Sequence, residues 1–160
     1  MSADVDQARE AVITADKDLP KVGIKREFDA PPELVFRAHI DPEIFARWVG
    51  PDQYQVTIDH WDGRTGGSYR YGTGDEWFFG SFHDVRPERF RIVQTWSWEG
   101  MPDAVSLETM NITALPGGRS LMSSVSLVDS MEAQAMMLAS GMEAGINQGY
   151  AKLDALLAQR

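Results

Sequence analysis

The sequence predicts an α+β protein: a seven-stranded antiparallel sheet, two short helices after the first strand, and a long C-terminal helix packed on the sheet. Three observations carry this expectation. Short segments of alternating polarity, separated by turn residues, fill positions 54–128, and tight connections imply antiparallel pairing. Thirteen of the sixteen aromatic residues lie between Phe45 and Trp98. Finally, residues 130–160 contain no proline and place Leu138, Met142, Gly145, Gly149, Leu153 and Leu156 on one helical face, opposite Glu143, Asn147 and Asp154.

Residues 1–18 show no sustained apolar pattern and are expected to form a loosely held tail, leaving 19–160 as a single domain. Val22, Ile24 and Phe28 alternate with Lys25 and Glu27 as a first strand, ended by Ala30-Pro31-Pro32. Glu33 to His39 form a short helix. A second begins with Asp41 as N-cap and Pro42 at the first helical position, and buries Ile44, Phe45 and Trp48 before Gly50-Pro51 stops it. Tyr54, Val56 and Ile58 alternate, but Trp61 falls out of phase, which predicts a bulge. Gly66-Gly67 opens a third strand with Tyr69 and Tyr71 on one face and Arg70 on the other. A turn at Gly72 to Asp75 leads to the fourth strand, Trp77 to Val85. The fifth, Phe90 to Trp98, has Phe90, Ile92, Trp96 and Trp98 in phase. Two longer strands, 104–115 and 119–128, are joined by the hairpin signal Leu115-Pro116-Gly117-Gly118. Ser130 then caps the final helix, with Glu132 in its first turn.

Gly141, Gly145 and Gly149 recur along that helix, each costing about 1 kcal/mol of propensity against alanine. Close helix–sheet packing and room for a ligand both account for them, and the two can hold at different glycines.

With 24 acidic against 15 basic residues the net charge is −9, and no basic cluster offsets it, so neither nucleic acid nor an anionic membrane is an expected partner. No run reaches the ~18 apolar residues of a membrane span. The N-terminus lacks the basic start and apolar core of a secretory signal, which makes the cytoplasm the expected location. Without cysteine there are no disulfides, thiol nucleophiles or cysteine-held metals. His39, His60 and His83 have no metal-ligand spacing and are expected to be structural or exposed. The serines of the last strand stand outside any Gly-x-Ser-x-Gly elbow, and no catalytic residue is assigned. Gly66-Gly67 precedes a strand and no Lys-Ser or Lys-Thr follows, so it is a corner rather than a phosphate loop, with Asp62 and Arg64 pinning it. No cofactor is expected. Glu76 and Glu108 are scattered carboxylates, whereas Asp84, in phase with Phe78 and Phe82, is expected to face inward and to need an arginine.

An ordered set of segments resembles a known family. Phe28-Asp29-Ala30-Pro31, Glu33-Leu34-Val35-Phe36-Arg37-Ala38, Asp41-Pro42-Glu43 and Arg47-Trp48-Val49-Gly50-Pro51 are similar to the opening of an SRPBCC (START-like) domain. The branch is the one named for the activator of the ninety-kilodalton heat-shock protein ATPase. Asp62-Gly63-Arg64-Thr65-Gly66-Gly67, Arg86-Pro87-Glu88-Arg89, Gly141-Met142-Glu143-Ala144-Gly145 and Leu153-Asp154-Ala155-Leu156-Leu157 extend the likeness over residues 22–158. The resemblance implies the helix-grip fold, a curved sheet wrapped on the C-terminal helix with a cavity between them. Two departures bear on that cavity: relatives often carry tryptophan where Met142 stands, and the usual Trp-Trp pair is Trp48-Val49 here.

Joined to the aromatic pattern, the resemblance implies binding of a small hydrophobic or aromatic molecule rather than catalysis. The expected contacts are Trp48, Tyr69, Tyr71, Phe82, Trp96 and Trp98, with Met110, Met142, Gly145 and Ile146. A chaperone-interacting module and a polyketide-cyclase-like enzyme are the alternatives, and exposed strand edges could pair two chains as a homodimer.

Overall fold

The computed structural model describes residues 10–159. Its strands are β1 (Val12–Ala15), β2 (Lys21–Phe28), β3 (Val56–Trp61), β4 (Ser68–Thr73), β5 (Glu76–Arg86), β6 (Arg91–Trp98), β7 (Ser106–Leu115) and β8 (Arg119–Leu127). They form one open antiparallel sheet in the order β1-β2-β8-β7-β6-β5-β4-β3. Helices α1 (Pro32–Ile40) and α2 (Pro42–Phe45) join β2 to β3, while α3 (Met131–Ala139) and α4 (Met142–Ala158) follow β8. The α+β design stands, with two changes of detail.

The sheet has eight strands, not seven. The additional strand, β1, pairs with β2 from Val12↔Lys25 to Ala15↔Val22. Of its side chains only Ile13 packs against the core, so backbone hydrogen bonds hold it and no apolar alternation marks it. Of the expected tail, residues 1–9 lie outside the described residues.

The single C-terminal helix is two helices. Gly141 takes the left-handed conformation, φ +84°, just beyond Ser140, the C-cap of α3. A residue there meets no Cβ penalty only as glycine, and the chain restarts as a separate helix, α4. Gly141 is therefore a break rather than part of a packing face, and Leu138, left behind on α3, is exposed. The expected caps are present: Ser130 Oγ accepts from Ala133 N at 3.0 Å and Asp41 Oδ1 from Glu43 N at 3.0 Å.

Two bulges set which side chains face inward. The shift between Ile58 and His60 in β3 returns Trp61 to the side of Tyr69, as its phase predicts. A second shift, between Phe82 and Asp84 in β5, corrects the expectation for Asp84. Its carboxylate lies on Arg86 at 3.1 Å and within 4.0 Å of Arg91, outside the core. Phe90 does not open β6 either; it follows a 3-10 turn at Pro87–Arg89 with φ 52° and packs on Phe36.

The core lies between the sheet and the helices, with Phe28, Phe82, Ile92, Met122 and Leu153 fully buried. Arg26 sits on the same β2 face, between Ile24 and Phe28, with its side chain only 3% exposed. Such a charge needs a partner. Asp154 supplies it through two 2.7 Å hydrogen bonds, and so borders the core rather than lying opposite it. The guanidinium also rests 4.8 Å from the centre of the Phe28 ring.

Losing Asp154 strands the Arg26 charge. Asp154→Ala should cost about 3–5 kcal/mol, toward the lower end because Asp154 keeps some solvent contact. Leu153→Ala should cost about 2–5 kcal/mol through the cavity it leaves. Urea melts of both variants check this; an unchanged midpoint for Asp154→Ala would show that the pair does not clamp α4.

Candidate ligand cavity

A cavity of about 770 Å³ separates the sheet from α3 and α4. Its origin can be read along α4. A Cβ placed on Gly149 would stand 3.1 Å from Trp48 O, so here helix and chain touch. One turn earlier, a Cβ on Gly145 would meet nothing within 4 Å. Both explanations of the glycines thus hold, each at its own position. The floor is the inner face of β4–β8, with Tyr69, Tyr71, Phe78, Ile92, Gln94, Trp96, Glu108, Met110, Ser124 and Ser126. Met136, Met137, Met142, Ile146 and Tyr150 form the roof, and His39, Phe45, Trp48 and Trp61 close one side.

Most polar tips on these walls are tied down. Tyr69 Oη donates to Thr95 O at 2.6 Å and accepts from Gln94 Nε2 at 3.1 Å. Trp96 Nε1 donates to Tyr71 Oη at 3.0 Å, and Trp48 Nε1 to Ala38 O at 2.9 Å. Trp48 stacks on Tyr150, and Phe78 on Trp96, with ring centres 5.4 and 5.0 Å apart. Burial pushes the phenols of Tyr69, Tyr71 and Tyr150 well above their usual range, so all three stay protonated.

Two ionisable groups on the wall behave oppositely. His39 Nδ1 lies 2.7 Å from Val35 O, which can only accept, so Nδ1 carries the proton and Nε2 is a lone acceptor without a partner. Burial drives its pKa down to about 4 and keeps the ring neutral. Glu108 stands on β7 directly opposite Gln94 of β6 and Ser126 of β8. Its carboxyl makes no hydrogen bond or ion pair, and burial raises its pKa to about 7. That negative charge also reaches Tyr69, Tyr71 and Tyr150, raising each further.

Nine of the ten expected contact residues border the cavity: Trp48, Tyr69, Tyr71, Trp96, Trp98, Met110, Met142, Gly145 and Ile146. Phe82 does not. It fills the core beside Tyr69 and Trp61, at ring-centre distances of 5.0 and 5.3 Å. Glu108, Gln94, His39 and Tyr150 were not singled out from sequence. For Glu108 a signal existed, because Ser106, Glu108, Met110 and Ile112 alternate onto one face of β7. The remaining histidines, His60 and His83, are exposed, and Arg64 Nε holds Asp62 at 3.0 Å as expected. Among the described residues no cluster of His, Asp or Glu could hold a metal ion, and no helix is long and apolar enough to cross a membrane.

With this geometry in view, comparison with known proteins places the chain. The model of a family described as Activator of Hsp90 ATPase homolog 1-like protein matches residues 29–158. The chain belongs to this family. The SRPBCC resemblance therefore holds, and solved structures share the fold. A protein from Rhodobacter sphaeroides is 20% identical, with a TM-score of 0.83 over 94% of this chain and 100% of its own. Protein Ms6760 from Mycobacterium smegmatis is 25% identical, with a TM-score of 0.79 over 92% and 96%. CalU16 from Micromonospora echinospora is 18% identical, with a TM-score of 0.62 over 94% and 88%. Comparison with curated proteins found no match.

In this Hsp90-activator-like domain Glu108 contributes a stability term of definite sign. Its pKa rises from 4.5 unfolded to about 7 folded, so above pH 7 the folded state carries a desolvated charge. Between pH 7 and 4.5 the folded state binds the proton first and the penalty disappears. Glu108→Gln should therefore stabilise the protein near pH 8 by on the order of 2 kcal/mol, less than the full shift because the carboxyl faces the cavity. The gain should shrink toward zero by about pH 4.5. Urea melts across that range measure it, and a gain that grows toward acid pH would contradict the assignment.

Proposed function

We propose that the protein binds a small hydrophobic or aromatic molecule in the cavity between the sheet and helices α3 and α4. The open space over Gly145, floored by aromatic rings, carries this reading. Membership in a family with the helix-grip fold supports it. Contacts are assigned to Trp48, Tyr69, Tyr71, Trp96, Trp98, Met110, Met142, Gly145 and Ile146, the ring faces and methionines supplying shape and apolar area.

Glu108 favours a second, catalytic reading, in which the cavity guides a polyketide-cyclase-like reaction by moving a proton. Glu108 would be the acid of such a reaction, since Asp84 sits on the outside with Arg86. Turnover abolished by Glu108→Gln, with binding retained, would select it.

Gly145→Leu tests the first reading. The added side chain enters open space, and the helix gains up to about 1 kcal/mol of propensity, so stability should hold or rise. Binding of the neutral dye N-phenyl-1-naphthylamine, followed by fluorescence, should fall about tenfold or more. Gly149→Leu supplies the contrast: it drives against Trp48 O and should cost about 1–3 kcal/mol or more. Failure of the unsubstituted protein to bind the dye would overturn the reading.

A further inference from the structure

Among the described residues bordering the cavity there is no lysine and no arginine. The charged groups available to a ligand are all acidic: Glu108 on the floor, with Glu76 and Asp129 at the margin. Glu76 is already engaged by Trp98 Nε1. Glu108 is partly exposed to the cavity and makes no hydrogen bond or ion pair with the protein. Around it stand Gln94 on β6, Ser126 on β8, the phenols of Tyr69 and Tyr71 on β4 and of Tyr150 on α4. His39 on α1, also on the wall, is neutral, with Nδ1 on Val35 O and Nε2 buried. None of these can neutralise a carboxylate. A buried carboxylate needs a counter-cation, and nearby aromatic rings favour one as well.

Resting on the ligand-binding reading above, we propose that the cavity selects hydrophobic amines and rejects hydrophobic carboxylates, the ligand's ammonium pairing with Glu108 among the tyrosine rings. An ammonium replaces the hydration that Glu108 loses on burial. A ligand carboxylate would bring a second negative charge into the same apolar space, where like charges disfavour one another strongly. Binding of the amine and ionisation of Glu108 are then coupled: the cation draws the carboxyl back toward its ordinary pKa. Neutral ligands gain nothing from this coupling.

The test compares three ligands with one ring system, 1-naphthylmethylamine, 1-naphthylmethanol and 1-naphthoate, by isothermal titration calorimetry on the full chain. Near pH 8 the amine should bind about tenfold tighter than the alcohol, and the carboxylate weakest of the three. Glu108→Gln should weaken the amine about tenfold and leave the alcohol within about twofold, which also shows that the variant keeps a formed cavity. From pH 8 to about 5.5, through the region where Glu108 takes up its proton, amine affinity should fall and alcohol affinity should not. Equal affinity for amine and alcohol, naphthoate as the tightest ligand, or an amine affinity untouched by Glu108→Gln would each overturn the proposal. If the neutral dye binds and the amine has no preference, this inference alone fails. When neither the dye nor any naphthyl compound binds, the ligand-binding reading fails with it.

Discussion

The arrangement depends on how the C-terminal half of α4 is fixed to the sheet. Toward its C-terminus the helix is locked three ways: Leu153 is fully buried, Asp154 grips Arg26 bidentately, and Gly149 lets the backbone approach Trp48. The first term is apolar and non-directional, whereas the fork of Arg26 fixes both distance and rotation. One turn before Gly149 the helix stands clear, for a Cβ on Gly145 would meet nothing within 4 Å. A leucine or phenylalanine at Gly145 would have filled the gap. The glycine leaves it open.

The chemistry of the space follows from which groups the fold strips of water. His39 and Glu108 are both on its wall, the first neutral at physiological pH and the second titrating close to it, and they pull stability in opposite senses. His39, its pKa depressed from 6.5 to about 4, costs stability as pH falls below 6.5, because the unfolded chain then binds a proton that the folded ring refuses. Glu108 costs stability as pH rises toward 7, because the folded carboxyl releases its proton late. His39 has a structural duty, donating to Val35 O and meeting the Trp48 ring edge-on. Glu108 has none, which is the reason its burial reads as functional rather than architectural.

The order of the core strands, the caps at Asp41 and Ser130 and the bulge before Trp61 were legible because each follows from local pattern or local chemistry. What escaped was set by tertiary context. β1 carries one inward side chain, so its pairing with β2 leaves no periodic trace. Gly141 looks like its neighbours Gly145 and Gly149 in sequence, and only the path of the chain makes it a left-handed break. Asp84 keeps strict alternation with Phe82 on paper, yet the register shift between them turns it outward. The same alternation read along β7 puts Glu108 inside, and there no bulge intervenes.

Separating α3 from α4 has its own consequence for the cavity. Gly141 ends α3 in a left-handed residue, and Met136 and Met137 of that separate helix line the cavity together with Met142 and Ile146 of α4. Helix α3 is held there by Gln134, whose Nε2 lies 2.8–3.2 Å from the carbonyl oxygens of Asp16 and Leu19, between β1 and β2, and of Lys21 at the start of β2. Those carbonyls are fixed in turn by the pairing of β1 with β2 and by the backbone bond from Val128 N to Pro20 O. Ala11 N, donating to Asn147 Oδ1, ties the same N-terminal segment to α4. The strand that the hydrophobic pattern did not reveal is thus a support for the roof of the cavity. Its weak apolar signature fits that role, because it works through backbone groups and one buried amide rather than through packing.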